Sequence, residues 1–123
     1  MAKQRLVNTR FWSDTYISNL DPTEKLLFLY FITNEKTNIA GIYDIPLKFV
    51  AMETGIDKEM IEKITKRFET DEKIYYIDGW VFVRNFQKHQ STSSSKVKTG
   101  IMVEMERVPA EVSKKIKGII GMR

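Results

Sequence analysis

The chain's main chemical signal is a set of cations at helical spacing: Lys63, Lys66 and Arg67, with Lys58 upstream of them. Lysine and arginine on one helix suit phosphate oxygens and guanine edges, because an ammonium is a compact donor and a guanidinium a planar fork. The same stretch carries Glu59, Glu62 and Glu69. Glu59–Lys63 and Glu62–Lys66 stand four apart in the stabilising order, and such pairs add ~0.2–0.5 kcal/mol each on a solvated helix face. Contact with nucleic acid and plain solvation are both open readings of this face. A second group lies downstream. Lys73 and Arg84 face each other across the base of a hairpin, and Tyr75, Trp80 and Phe82 stand between them and the tip. Basic groups framing aromatics suit a surface that leans on nucleic acid or on a partner protein. The alternative is that Phe11, Trp12 or a C-terminal helix packs there.

Catalytic chemistry has few candidates. The chain has one histidine and no cysteine. His89 sits alone in Phe86-Gln87-Lys88-His89-Gln90, without the neighbouring acids of a metal site. There is no glycine-rich phosphate loop and no nucleophile elbow. The carboxylates fall at helix caps or on charged faces. The expectation is a protein that is not an enzyme and carries no metal or cofactor.

The charge distribution limits the nucleic-acid reading. Residues 1–90 hold 13 Lys and Arg against 13 Asp and Glu, so the whole net charge of +4 lies in residues 91–123. Binding must therefore rest on local patches. Further contacts are expected from an N-terminal arm with Lys3, Arg5 and Arg10, and from Lys88, Lys96 and Lys98. The longest apolar run, residues 26–32, is too short to span a membrane. No apolar signal core follows the first residues, so a cytoplasmic location in a bacterial host is expected.

The elements that must position these cations are readable in order. Residues 1–11 read as a basic arm or a short edge strand, and Phe11 to Ile17 as a short helical piece. Asp21-Pro22-Thr23-Glu24 is a capping box with proline at the first helical position. The helix behind it, with Leu26, Leu27, Leu29, Tyr30 and Phe31, is apolar on most sides and belongs in mid-core. Gly41-Ile42-Tyr43 reads as a strand. A helix opened by Pro46 runs to Thr54, Gly55 closes it, and Asp57 caps the next one through Thr70. On that helix Met60, Ile61, Ile64 and Phe68 form the apolar stripe. Asp78-Gly79 between two β-rich runs predicts a two-residue hairpin, pairing Ile77 with Trp80 and Ile74 with Val83. Ile74, Tyr76, Val81 and Val83 are then the core face. Ser91–Ser95 reads as a linker, and Val112, Ile116, Ile119 and Ile120 as the stripe of a last helix.

Two helices around a glycine turn, closed by a hairpin, make an α+β fold: a winged helix–turn–helix with a β-hairpin wing and a C-terminal helical extension. The expected domains are residues 1–90, a linker at 91–95 and a basic, partly helical extension at 96–123.

The run from Asn8 to Ile56, followed by KIYYIDGWVFVRNFQKHQ, resembles the N-terminal domain of phage replisome organisers, the DnaD-like replication initiators of phages and prophages of Gram-positive bacteria. The resemblance covers about residues 5–109. Its most specific parts are Phe11-Trp12-Ser13-Asp14, Thr37-Asn38 with Gly41-Ile42-Tyr43, Asp78-Gly79-Trp80-Val81, and Asn85-Phe86 with Lys88-His89-Gln90. The resemblance implies a winged helix that binds double-stranded DNA at a phage origin and organises primosome assembly. It also implies recruitment of a helicase loader, expected to pass through a region this chain lacks. In related DnaD-type primosomal proteins the winged helix mainly oligomerises. The expected contacts to DNA are Lys58, Lys63, Lys66, Arg67, Lys73, Trp80, Arg84 and Lys88. The alternatives are a self-associating interaction module, built on the aromatic hairpin face and the Ile116 stripe, and a small transcriptional regulator.

Overall fold

The computed structural model of the chain describes residues 4–38, 40–84 and 106–121, and it is an α+β structure. After a single 3-10 turn at Thr9–Phe11 come α1 (Thr15–Ser18), α2 (Pro22–Thr33), β1 (Ile42–Asp44), α3 (Leu47–Thr54), α4 (Lys58–Thr70), β2 (Ile74–Ile77), β3 (Trp80–Val83) and α5 (Ala110–Gly121).

Local chemistry sets the helix boundaries. Asp21 accepts from the Glu24 amide, and the Glu24 carboxylate accepts from the Asp21 amide, both at 2.9 Å, so α2 begins with a closed capping box. Leu27, Phe28, Phe31 and Ile32 are all buried, which puts α2 through the middle of the core. Pro46 sits one residue earlier than expected: it is the extended residue before α3 and not the first helical one. Gly55 closes α3 at φ +78°, a left-handed angle that costs glycine little. No atom lies within 4 Å of where a Cβ would project at Gly55, so the backbone angle is what requires glycine there. Asp57 then caps α4 through the Met60 amide at 2.9 Å.

The three strands form one antiparallel sheet in the order β1-β3-β2. The hairpin register is Ile77 opposite Trp80, Tyr76 opposite Val81, Tyr75 opposite Phe82 and Ile74 opposite Val83, as the two-residue turn predicts. Asp78 and Gly79 both take positive φ, the primed-turn geometry that matches strand twist.

The sheet has two covered faces. Ile74, Val81 and Val83 pack with Ile61, Ile64 and Phe68 of α4 and with α2. Ile42, Tyr75 and Phe82 pack with Val112 and Ile116 of α5, with Ile77, Trp80, Val108 and Ile119 around them. Strand side chains alternate between faces, so one hairpin serves both layers.

Two further expectations need correction. Residues 4–8 join no strand; Phe11 is buried against Phe28, and Arg5 Nε donates to Thr37 Oγ1 at 3.2 Å, so this segment is docked. Met60 is 41% exposed, and Thr65 takes its place in the buried line. The helical step of about 100° turns Met60 off the line of Ile61, Ile64 and Phe68. The hydroxyl of Thr65 is satisfied inside by the Ile61 carbonyl at 2.6 Å. Of the two readings of the aromatic hairpin face, the structure bears out the one in which a C-terminal helix packs there: α5 lies on it. The Ser91–Ser95 linker, His89 and most of the 96–109 stretch lie outside the described residues. Among the described residues, no helix is long and apolar enough to cross a membrane.

Candidate nucleic-acid interface

The face of α4 is set by what it buries. Ile61, Ile64, Thr65 and Phe68 point into the core, so Glu59, Lys63, Lys66 and Thr70 fall on the opposite line and are exposed. Lys58 stands exposed in the first turn. Lys63 and Lys66 enter no ion pair or hydrogen bond among the described residues, although Glu59 and Glu62 stand four residues before them. The intrahelical pairs of the solvation reading are therefore open. Two ammonium groups project together from the helix that follows the glycine turn.

The other expected contacts divide sharply. Arg67 turns back across the helix toward α2. Its Nη1 donates to both carboxylate oxygens of Glu24, at 2.7 and 2.6 Å, and its Nε lies 3.8 Å from Asp71 Oδ2. The Glu24 carboxylate raises the guanidinium's pKa further, chiefly through that hydrogen bond. Arg67 ties α2 to α4.

Arg84 is also withdrawn. Its side chain is only 10% exposed, its Nη1 lies 3.6 Å from Glu72 Oε1, and that nitrogen is buried without a hydrogen-bond partner. A side chain so covered cannot meet a phosphate in the groove. Lys73 holds its ammonium 4.9 Å from the Tyr16 ring centre, a cation–π contact. Tyr16 in turn donates to Asp71 at 2.6 Å, and its phenol is pushed to high pKa by burial first and by Asp71 second. Lys73 remains exposed, but it is held beside α1. Trp80 is half-buried against the α5 layer, more open than Phe82 yet not a free wing tip.

In the arm, Arg5 and Arg10 differ in setting. Arg5 is bound to Thr37. Arg10 is exposed beside a surface cavity of about 190 Å³ lined also by Val7, Phe11 and Asp14. Lys88, Lys96 and Lys98 lie outside the described residues. The structure sets Lys63 and Lys66 on the outward line of α4, with Lys58 exposed in its first turn off that line, and it leaves Arg67, Lys73 and Arg84 in a separate charged seam around Tyr16, Asp71 and Glu72.

Two features escaped the sequence reading, the exposure of Met60 and the contact of Lys115 with Asp78. Met60 is exposed on the flank of α4, beside the lysine line. On α5, Lys114 and Lys117 are exposed while Lys115 reaches Asp78 at the hairpin turn, 2.7 Å away. The periodicity of residues 110–121 already sets Lys114, Lys115 and Lys117 apart from the apolar stripe, but no local signal pairs Lys115 with Asp78. Among the described residues there is no cluster of histidines or acids able to hold a metal ion. Set against family models, curated proteins and solved structures, the chain matches none.

Proposed function

We propose that the chain is a double-stranded DNA-binding module of winged-helix type. In this reading α2, α3 and α4 form the helical part, the β2–β3 hairpin is the wing, and α5 is an extension that backs it. The helix α4 enters the major groove, with Lys63 and Lys66 on phosphates or guanine edges and Lys58 at the approaching end. The observation that carries the reading is the pair of unpaired ammonium groups on the outward line of the helix that follows the Gly55 turn. The setting, origin DNA and primosome assembly in phage replication, is supplied by the resemblance of the sequence to phage replisome organisers.

This reading drops Arg67 and Arg84 from the contact set, because one is committed to Glu24 and the other is buried. Glu59 and Glu62 remain beside the lysines, so affinity from α4 alone is modest and strongly salt-dependent.

The interaction-module alternative was built on two apolar surfaces, the aromatic hairpin face and the Ile116 stripe. Those surfaces cover each other within one chain. The alternative therefore loses the interface it named.

The test is duplex binding by fluorescence anisotropy across a salt series. Each neutralised phosphate contributes about −0.9 to the slope of log affinity against log salt. The double variant K63A/K66A is expected to flatten the slope by about 2. An unchanged slope would remove α4 from the contact.

A further inference from the structure

The sheet separates two helices that carry outward lysines. One layer is α4, packed on the face of Ile74, Val81 and Val83, and the other is α5, packed on the face of Ile42, Tyr75 and Phe82. On α5, Val112 and Ile116 are 3% exposed and point into the sheet. The helical step then turns Lys114 directly away from the sheet and Lys117 outward beside it. Both are exposed, and neither has an ion-pair or hydrogen-bond partner among the described residues. Lys115 holds Asp78 at the hairpin turn, which pins the rotation of α5 and keeps its neighbours outward. The only acid on the exposed part of this helix is Glu111, so the face is net positive.

We infer that Lys114 and Lys117 form a second phosphate-binding face, which engages a separate segment of DNA from the one held by α4. This inference rests on the DNA-binding reading of α4 and extends it. Two observations support it. The chain's entire net charge of +4 lies in residues 91–123, the part that contains α5, while the first 90 residues are neutral. A polyanion is the partner whose charge complements that surplus. The geometry requires a second segment, since helix, sheet and helix stack to about 30 Å, so a straight duplex lying on α4 does not reach α5. One molecule then bridges two duplexes through opposite faces.

The experiment uses the full chain with two duplexes of one sequence, one biotinylated and one fluorescent, on streptavidin beads. Wild-type protein is expected to retain the fluorescent duplex. K114E/K117E is expected to lower that retention at least ~10-fold while still binding a single duplex by anisotropy. K63E/K66E is expected to abolish bridging as well. Both lysines of α5 are exposed, so the variant's thermal midpoint should match wild type; K114Q/K117Q serves should the charge reversal disturb folding. Wild-type protein that binds one duplex yet does not bridge overturns the inference and leaves the α4 reading standing. Bridging that survives in K114E/K117E also overturns it, because copies paired through some other surface are then responsible. Wild-type protein that binds no duplex overturns both readings.

Discussion

Arg67 Nη1 lies 2.7 and 2.6 Å from the two carboxylate oxygens of Glu24, across 43 residues of sequence. Glu24 also closes the capping box of α2, so one carboxylate holds both the start of α2 and the last turns of α4. The contact turns Arg67 toward α2, while the buried line of Ile61, Ile64 and Phe68 leaves Lys63 and Lys66 facing outward.

The first prediction separates stability from binding. Arg67→Ala leaves Glu24, whose side chain is 9% exposed, with its cap bond but no counter-charge. Arg67 itself is half exposed, but removing it is destabilising because the covered Glu24 charge then stays out of water without a partner. The urea midpoint should fall with m unchanged. The salt slope of duplex binding should stay at the wild-type value. A flatter slope would mean that Arg67 leaves Glu24 to reach phosphate.

A second prediction concerns Tyr43. Its hydroxyl donates to the Phe31 carbonyl at 2.7 Å and accepts from Asn34 Nδ2 at 2.8 Å, all in a buried pocket at the end of α2. Helix carbonyls in the last turn lack intrahelical partners and need such a cap. Tyr43→Phe keeps the ring but strands the Phe31 carbonyl and one N–H of Asn34, whose Nδ2 still donates to the Tyr30 carbonyl, at a cost of ~1–3 kcal/mol. Chemical denaturation measures it, and a change under about 0.5 kcal/mol would show that water takes the hydroxyl's place.

Much of the fold was legible because its signals are local. Asp78-Gly79 fixed the hairpin register, since a two-residue primed turn leaves one pairing. Asp21 with Glu24, Gly55 and Asp57 marked helix ends for the same reason: each acts within four residues. The orientation of Lys63 and Lys66 followed from the Ile61, Ile64, Phe68 line. What was not legible depended on distant partners. Nothing near Arg67 announces Glu24, and nothing near Arg84 announces that its side chain is covered. Met60 was misplaced because an apolar side chain at the edge of a stripe is buried only if a neighbouring layer reaches it. The stripe of Val112 and Ile116 was readable, but the surface it covers was one of several candidates until the packing was seen.

The third prediction tests that covering layer. Ile116 is 3% exposed among Ile42, Tyr75, Phe82 and Val112. Ile116→Ala should cost ~2–5 kcal/mol if α5 is integral to the fold. Trp80 reports the same event: in a Trp12→Phe background, its emission should shift to the red as α5 loosens. Stability within ~0.5 kcal/mol of wild type would instead mark α5 as a weakly held flap.

The last prediction concerns alkaline pH. Tyr16, Tyr30 and Tyr43 all have phenol pKa values raised above the ordinary 10.0, each by burial first. Tyr16 and Tyr30 also donate to carboxylates, of Asp71 and Glu53, whose negative charge further disfavours the phenolate. The sign follows from proton binding. Above pH 10.0 the unfolded chain has lost these protons while the folded chain keeps them, so the folded state binds more protons and stability falls as pH rises. The contribution is fully present below the unfolded value and is lost upward from it. Stability should therefore be insensitive to these groups at neutral pH and decline steeply above about pH 10. Tyr16→Phe and Tyr30→Phe should each make that decline shallower in thermal melts taken across the alkaline range. An alkaline decline as steep in the double variant as in wild type would assign it to other groups.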